Sequence, residues 1–304
     1  MRALASFILR GYSQAIMVVV GTAVLALILP PFSLVSGAAV TLVTLRNGAR
    51  YGLLVMLVST AFVSGLAYFS LGNALTGLML LGILWLPLWI LAWVLREFRS
   101  LALASIITAA LGIVGILLVY LLAGDITAWW QEQLLLIFEP AIEAGGGLAN
   151  REAVEGILAG IARLMTGIAA AGIVLNTLVC LFLARGWQAM LFNPGGFRSE
   201  FYELRLGRWM ALASLLVIVI SMLPLGIVAQ LADEVMIVVF ALFVVQGLAV
   251  LHAIVGKRKM HSAWLFGLYA LAFFVLPQLM GLIALIGLFD NWLDIRSRVA
   301  EKTV

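Results

Sequence analysis

Residues 101–123 read LALASIITAALGIVGILLVYLLA, with no charged residue between Arg99 and Asp125. As a helix rising about 1.5 Å per residue this stretch is about 35 Å long, enough to cross a hydrocarbon core roughly 30 Å thick. In lipid every backbone N–H and C=O must be satisfied internally, so a helix is the expected form. Working outward, comparable runs occupy 12–30, 33–45, 51–70, 74–95, about 159–184, 208–231, 234–256 and 262–289. The whole chain is 304 residues, 65% hydrophobic and 11% charged, with a mean hydropathy of +1.19. Globular domains carry about a quarter charged residues, and a soluble fold could not hide this much apolar surface. The expected fold is all-α: one integral membrane domain over 1–304, a polytopic transmembrane bundle of eight or nine segments.

Two runs have unusual lengths. The second, 33–45, is too short for a straight crossing and follows Pro30–Pro31, so a short or broken element is expected there. The last, 262–289, would be about 42 Å long as one helix. Crossing once, it carries Arg296, Arg298 and Lys302 to the far side; a bend at Pro277 returns them, and the charge rule favours the bend. Residues 1–37 resemble a secretory signal, with Arg2 and Arg10, an apolar core and small residues at Ser36, Gly37 and Ala38. The core is at the upper length limit and more spans follow directly, so an uncleaved first span is expected.

The net charge of +4 and pI near 9.5 do not point to nucleic acid, because Lys and Arg fall in short clusters between spans rather than on one face. They read as topology signals. Arg2, Arg10, Arg46, Arg50, Arg96, Arg99, Arg185 to Arg208 and Lys257 to Lys259 collect on the side of the N-terminus. That pattern predicts a bacterial inner-membrane, multi-pass protein with a cytosolic N-terminus.

Two connections stand out. Residues 125–160 form an extracytoplasmic amphipathic connector, either plain or a lid over an outward-facing site. Trp129, Trp130 and Leu134 mark an interfacial helix, Pro140 ends it, Gly145–Gly147 form a joint, and Asn150 caps the next helix with Glu152 in its first turn. Residues 185–208 form a cytosolic loop. Within it Phe197, Phe201 and Leu204 share one helical face opposite Arg198 and Arg205. Phe197, Arg198, Phe201 and Arg205 are therefore a candidate docking surface for a membrane-protein partner, or else a short interfacial helix holding two spans in register.

Chemistry is sparse. No Asp or Glu falls inside a run; Asp233 and Glu234 stand at the edge between 208–231 and 234–256 and read as acids of the outer side. Asn176 and Gln246 lie inside spans, as interhelical hydrogen-bond glue or as solute contacts, and His252 lies near the inner surface with the same two readings. Cys180 is the single cysteine and sits in an apolar run, so no internal disulfide forms. GxxxxGK[ST], HExxH and GxSxG are absent, and one Cys with two His cannot assemble a structural zinc site. We expect no enzyme, no catalytic residue, no metal and no cofactor. Ala104, Thr108 and Gly112, and again Ala162, Thr166 and Ala170, repeat at four-residue spacing, the pattern that lets helices approach closely in lipid. Near the end, GLFDNWLDIRSR (287–298) predicts an amphipathic exit helix. Trp292 is its interface anchor, and Asp290, Asp294 and Arg298 lie four apart in the order that favours helical ion pairs.

At LPPFSLVSGAAVTLVTLRNGARYGLLV (29–55) and GLFDNWLDIR (287–296) the chain resembles the YybS-like family of predicted bacterial membrane proteins. The shared pattern is a first span ending in prolines, a short second segment, an arginine-glycine turn into the third span and a terminal Gly-x-x-Asp motif. That family is similar in turn to the S components of energy-coupling-factor transporters. The resemblance implies a helical bundle that cradles a small-molecule ligand and relies on separate ATPases. This chain departs from S components in having more spans, and only Gly11 and Ala15 approximate their docking face. No binding residue carries over. Two functions follow as expectations: binding or transport of a small solute, or a membrane scaffold in an envelope-associated assembly.

Overall fold

A computed structural model describes residues 1–144, 148–261 and 263–299. In chain order the helices are α1 (Arg2–Ile8), α2 (Tyr12–Ala26), α3 (Phe32–Asn47), α4 (Ala49–Leu71) and α5 (Leu75–Leu80). A π-helical turn (Leu81–Trp85) leads into α6 (Leu86–Phe98), then α7 (Leu101–Leu122), α8 (Ile126–Ala144), α9 (Leu148–Ala162) and α10 (Met165–Phe192). The rest are α11 (Gly196–Tyr202), α12 (Arg208–Ser221), α13 (Ile227–Lys257), α14 (Ala263–Phe274) and α15 (Leu276–Leu293). No strand occurs among the described residues.

Five of these stretches are long and apolar enough to cross a membrane: Ala49–Ser70, Leu75–Phe98, Leu101–Leu122, Met165–Phe192 and Ile227–Lys257. Only 28% to 44% of the apolar window is buried in the first four. Side chains such as Phe69, Leu121 and Leu122 are left exposed. Apolar surface on this scale needs lipid around it, so the chain is a membrane protein in contact with a bilayer.

The structure divides into two compact parts, described separately. Unit 1 comprises Met1–Thr108, Leu175–Leu206 and Phe243–Val304. At its centre α3 packs against α2, α4 and α6. Every residue from Ser36 to Leu45 is buried, which explains the shortness of this run: enclosed by other helices, α3 need not span lipid itself. It is one unbroken helix of 16 residues, not a broken one, because Pro30 and Pro31 fall in the turn before it. The Ser36 hydroxyl donates to the Val19 carbonyl at 2.9 Å and accepts from the Trp85 indole N–H at 3.1 Å, tying three segments together. Gly48, at φ 104°, makes the tight turn into α4.

Unit 2 comprises Ala109–Val174 and Gly207–Leu242. A Cβ on Gly112 would lie 2.6 Å from Val174, so this small position on α7 admits α10 at close range. Helices α8 and α9 bury Leu134, Leu158 and Ala162 between them, with Trp130 packed alongside. The Trp130 indole donates to the Thr166 hydroxyl at 3.0 Å, and Arg151 bridges Glu139 at 3.1 Å and Glu155 at 2.9 Å.

Several boundaries differ from the sequence expectation. Helix α8 continues through Pro140 to Ala144. The carbonyl that a proline leaves free belongs to Leu136, on an exposed turn where solvent can satisfy it. Gly145–Gly147 lie outside the described residues, and Asn150 sits in the first turn of α9 rather than at its cap. The 185–208 connection is shorter than expected, because α10 runs on to Phe192. The 262–289 run is two helices, broken at Val275 (φ −130°, ψ 48°), with Pro277 in the first turn of α15. The seam between the runs at 208–231 and 234–256 also moves. Helix α12 stops at Ser221, the turn contains Pro224 and Gly226 (φ 56°), and α13 then runs 31 residues.

Candidate functional site

That displaced seam has a chemical consequence: Asp233 and Glu234, which look in sequence like the polar end of a span, lie inside α13. Glu234 is 1% exposed. Gln230 and Glu234 are four residues apart and so share a helical face. From α7, the Tyr120 hydroxyl donates to Glu234 Oε1 at 2.8 Å and accepts from the Gln230 amide at 2.9 Å. The same amide donates to the Thr127 hydroxyl at 3.0 Å. Because Gln230 occupies the acceptor side of Tyr120, the phenol proton is directed at the carboxylate. Glu234 Oε2 is buried and has no hydrogen-bond partner among the described residues.

The surroundings explain how the carboxylate stays sealed. A Cβ on Gly167 would stand 2.7 Å from Glu234 Cα and 2.8 Å from its carbonyl oxygen, so α10 lies with its backbone against α13 at this point. Other charged neighbours are Asp233 on the same helix and Arg163, which acts electrostatically on Tyr120. A buried acceptor without a donor costs roughly 1–3 kcal/mol or more. Ionisable groups held inside membrane segments mark solute and ion pathways. The open oxygen can accept from a proton, an ammonium or a hydroxyl. Among the described residues no group of three His, Cys, Asp or Glu side chains is placed to hold a metal ion.

A second polar cluster, in unit 1, gathers residues that sequence reasoning had assigned to three separate places. Gln246, fully buried on α13, accepts from the Leu206 backbone N–H at 3.0 Å and donates to the Gly287 carbonyl at 2.8 Å. The helices meet there because both sides are glycine. A Cβ on Gly247 would lie 1.9 Å from the Ile283 carbonyl oxygen, and one on Gly287 2.2 Å from that of Phe243. One turn further on, Asp290 is fully buried. It accepts from Arg296 at 2.6 Å and from the Ile295 N–H at 3.1 Å, and lies 3.6 Å from Arg205. Arg205 also pairs with Asp294, and Arg296 donates to the Tyr202 carbonyl.

The expected ladder of Asp290, Asp294 and Arg298 on one exit helix therefore does not form. Helix α15 ends at Leu293, and Asp294 adopts a left-handed cap at φ 44°. The physical reason is competition: the Asp290 side chain takes the Ile295 N–H and so terminates the helix. Asp294 is held below the usual aspartate range, chiefly by its hydrogen bond from Arg205 and then by that from Ser297. Arg298 is exposed and Trp292 half-buried. The GLFDNWLDIR motif is a knot binding α15 to α13 and to the loop after α11.

The remaining candidates fall nearby or apart. Phe197 and Phe201 pack on Phe182 with ring centroids 6.0 Å and 5.6 Å away, and Phe201 also meets His252 at 5.6 Å. Arg198 donates to the Tyr202 hydroxyl at 2.6 Å. His252 has one ring nitrogen 2.8 Å from the Leu248 carbonyl and the other 3.3 Å from the Tyr269 hydroxyl. Asn176 is half-buried on α10. Sequence reasoning missed Glu234, Tyr120, Gln230 and Thr127. The available signal was Pro224 with Gly226, a stronger helix break than an acidic pair, together with the four-residue Gln230 to Glu234 spacing. No family model, curated protein or solved structure matches this chain.

Proposed function

We propose that this is a multi-pass protein of the bacterial inner membrane, N-terminus in the cytosol, that binds a small solute and passes it across the bilayer with Glu234 as its polar anchor. The observation that carries this reading is the sealed Glu234 carboxylate, one oxygen donor-bonded by Tyr120 and the other open, inside a long apolar helix. The five long helices, the shorter apolar helices Tyr12–Ala26, Arg208–Ser221 and Gln278–Leu293, and the enclosed α3 support a count of eight or nine membrane segments. The clustering of Arg and Lys supports the orientation. The motifs at 29–55 and 287–296 support membership of the YybS-like family, and with it a solute cradle that works beside energising partners. A scaffold is the second reading. The aromatic face that would carry it is packed against Phe182 and His252 of the chain itself, which favours the solute.

The test is mass spectrometry of small molecules extracted from the purified protein. A solute should accompany the wild type and be depleted in Glu234→Gln, which preserves the shape of the side chain and an oxygen for Tyr120. A wild-type preparation free of solute, or an equal load in the variant, would overturn the proposal.

A further inference from the structure

A second, independent feature lies in unit 1, at the C-terminal ends of α3 and α6 beside the last turns of α10. A cavity of about 560 Å³ opens there, and Arg46, Arg96, Arg99 and Arg185 line it with Glu97 and Glu200. Arg185 and Glu200 neutralise each other through a two-pronged pair, with Arg185 Nε donating at 2.9 Å. The other three guanidinium groups form no ion pair among the described residues. Four guanidinium groups face two carboxylates, an excess of two positive charges. The ends of α3 and α6 offset roughly half a charge each, which leaves a surplus of about one.

Each unpaired arginine is held for a purpose other than stability of a pair. Arg96 donates from Nη1 to the Leu45 and Arg46 carbonyls at 2.8 and 3.0 Å, which fixes its fork at the rim of the cavity. The Arg46 guanidinium lies 3.8 Å above the Phe192 ring. Arg99 occupies the left-handed position after α6 at φ 52°, where glycine would sit without strain. What Arg99 contributes there is its charge. Phe98 and Phe192 are both exposed beside these groups, an apolar flank suited to acyl chains.

We propose that this cavity binds the phosphodiester headgroup of an anionic phospholipid. One surplus charge matches a phosphodiester monoanion, guanidinium forks suit its oxygens, and the flanking phenylalanines suit its tails. Basic pockets between membrane helices bind acidic headgroups in this manner.

Native mass spectrometry of the full chain, titrated with phosphatidylglycerol, tests the proposal. The paired change Arg46→Gln and Arg99→Gly should weaken binding by roughly tenfold or more, while Arg2→Gln, which removes a charge elsewhere, leaves it unchanged. Arg99→Gly relieves backbone strain, so loss of fold does not confound the result, and circular dichroism checks it. Wild-type affinity in the paired variant would overturn the proposal. So would equal binding of phosphatidylcholine, or inorganic phosphate competing at the same concentration as the lipid, which would mark a free-anion site instead.

Discussion

Replacing Asp290 by Ala should be the most damaging single change in the C-terminal half of unit 1. Asp290 is fully buried and Arg296 only 6% exposed, and their 2.6 Å pair is the one carboxylate ion pair of Arg296 among the described residues. Removing the carboxylate leaves a buried guanidinium whose Nε already lacks a partner. Breaking a buried pair from one side costs about 3–5 kcal/mol. The 3.6 Å contact from Arg205, itself 38% exposed, adds little beside that, since solvent-exposed pairs contribute roughly 0–1 kcal/mol. The sign reverses for the pair as a whole. Replacing both partners by apolar groups, Asp290→Leu with Arg296→Met, should restore most of the loss, because no buried charge is left uncompensated. Reversible unfolding in mixed micelles, followed by Trp fluorescence, gives the free energies of wild type, single variant and double variant for the comparison. A loss below about 1 kcal/mol for Asp290→Ala, or a double variant as unstable as the single one, would refute this account of the knot.

Three further outcomes follow from other contacts. Gly247→Ala places a methyl 1.9 Å from the Ile283 carbonyl; overpacking of this kind costs about 1–3 kcal/mol, and the same unfolding assay should show it, whereas Gly267→Ala, with open space around it, should not. Tyr120→Phe keeps the ring but removes the donor to Glu234, and should reduce the co-purifying solute without a comparable loss of stability. The Arg205–Asp294 pair gives a pH signature. Since pairing lowers the Asp294 pKa from an ordinary 3.8, its stabilisation is complete above that value and fades as pH falls through the lowered one. The melting-temperature difference between wild type and Asp294→Asn should therefore persist at neutral pH and shrink in acid; a difference that grows in acid contradicts the pairing.

The C-terminal motif shows where sequence reasoning reaches its limit. Four-residue spacing of Asp290, Asp294 and Arg298 is a local pattern, and local patterns yield local pairs. The actual partners of these aspartates are Arg205 and Arg296, one of them 85 positions or more away in the chain. Asp233–Glu234 failed in the opposite direction. Charge was taken as the end of a span, although Pro224 and Gly226 were the true break and Tyr120 was placed to donate to one oxygen of the carboxylate.

By itself the sequence determined that this chain is helical and lives in lipid, because composition and run length are sums over residues and need no partners. It also located the small-residue contacts, such as Gly112 on α7, since close helix approach is encoded by size at fixed spacing. Only the tertiary structure decided that α3 is enclosed, that Glu234 is inside, and that Asp290 anchors a knot. Burial depends on which other segments arrive at a position, and these carboxylates take hydrogen bonds from residues that no local pattern pairs with them.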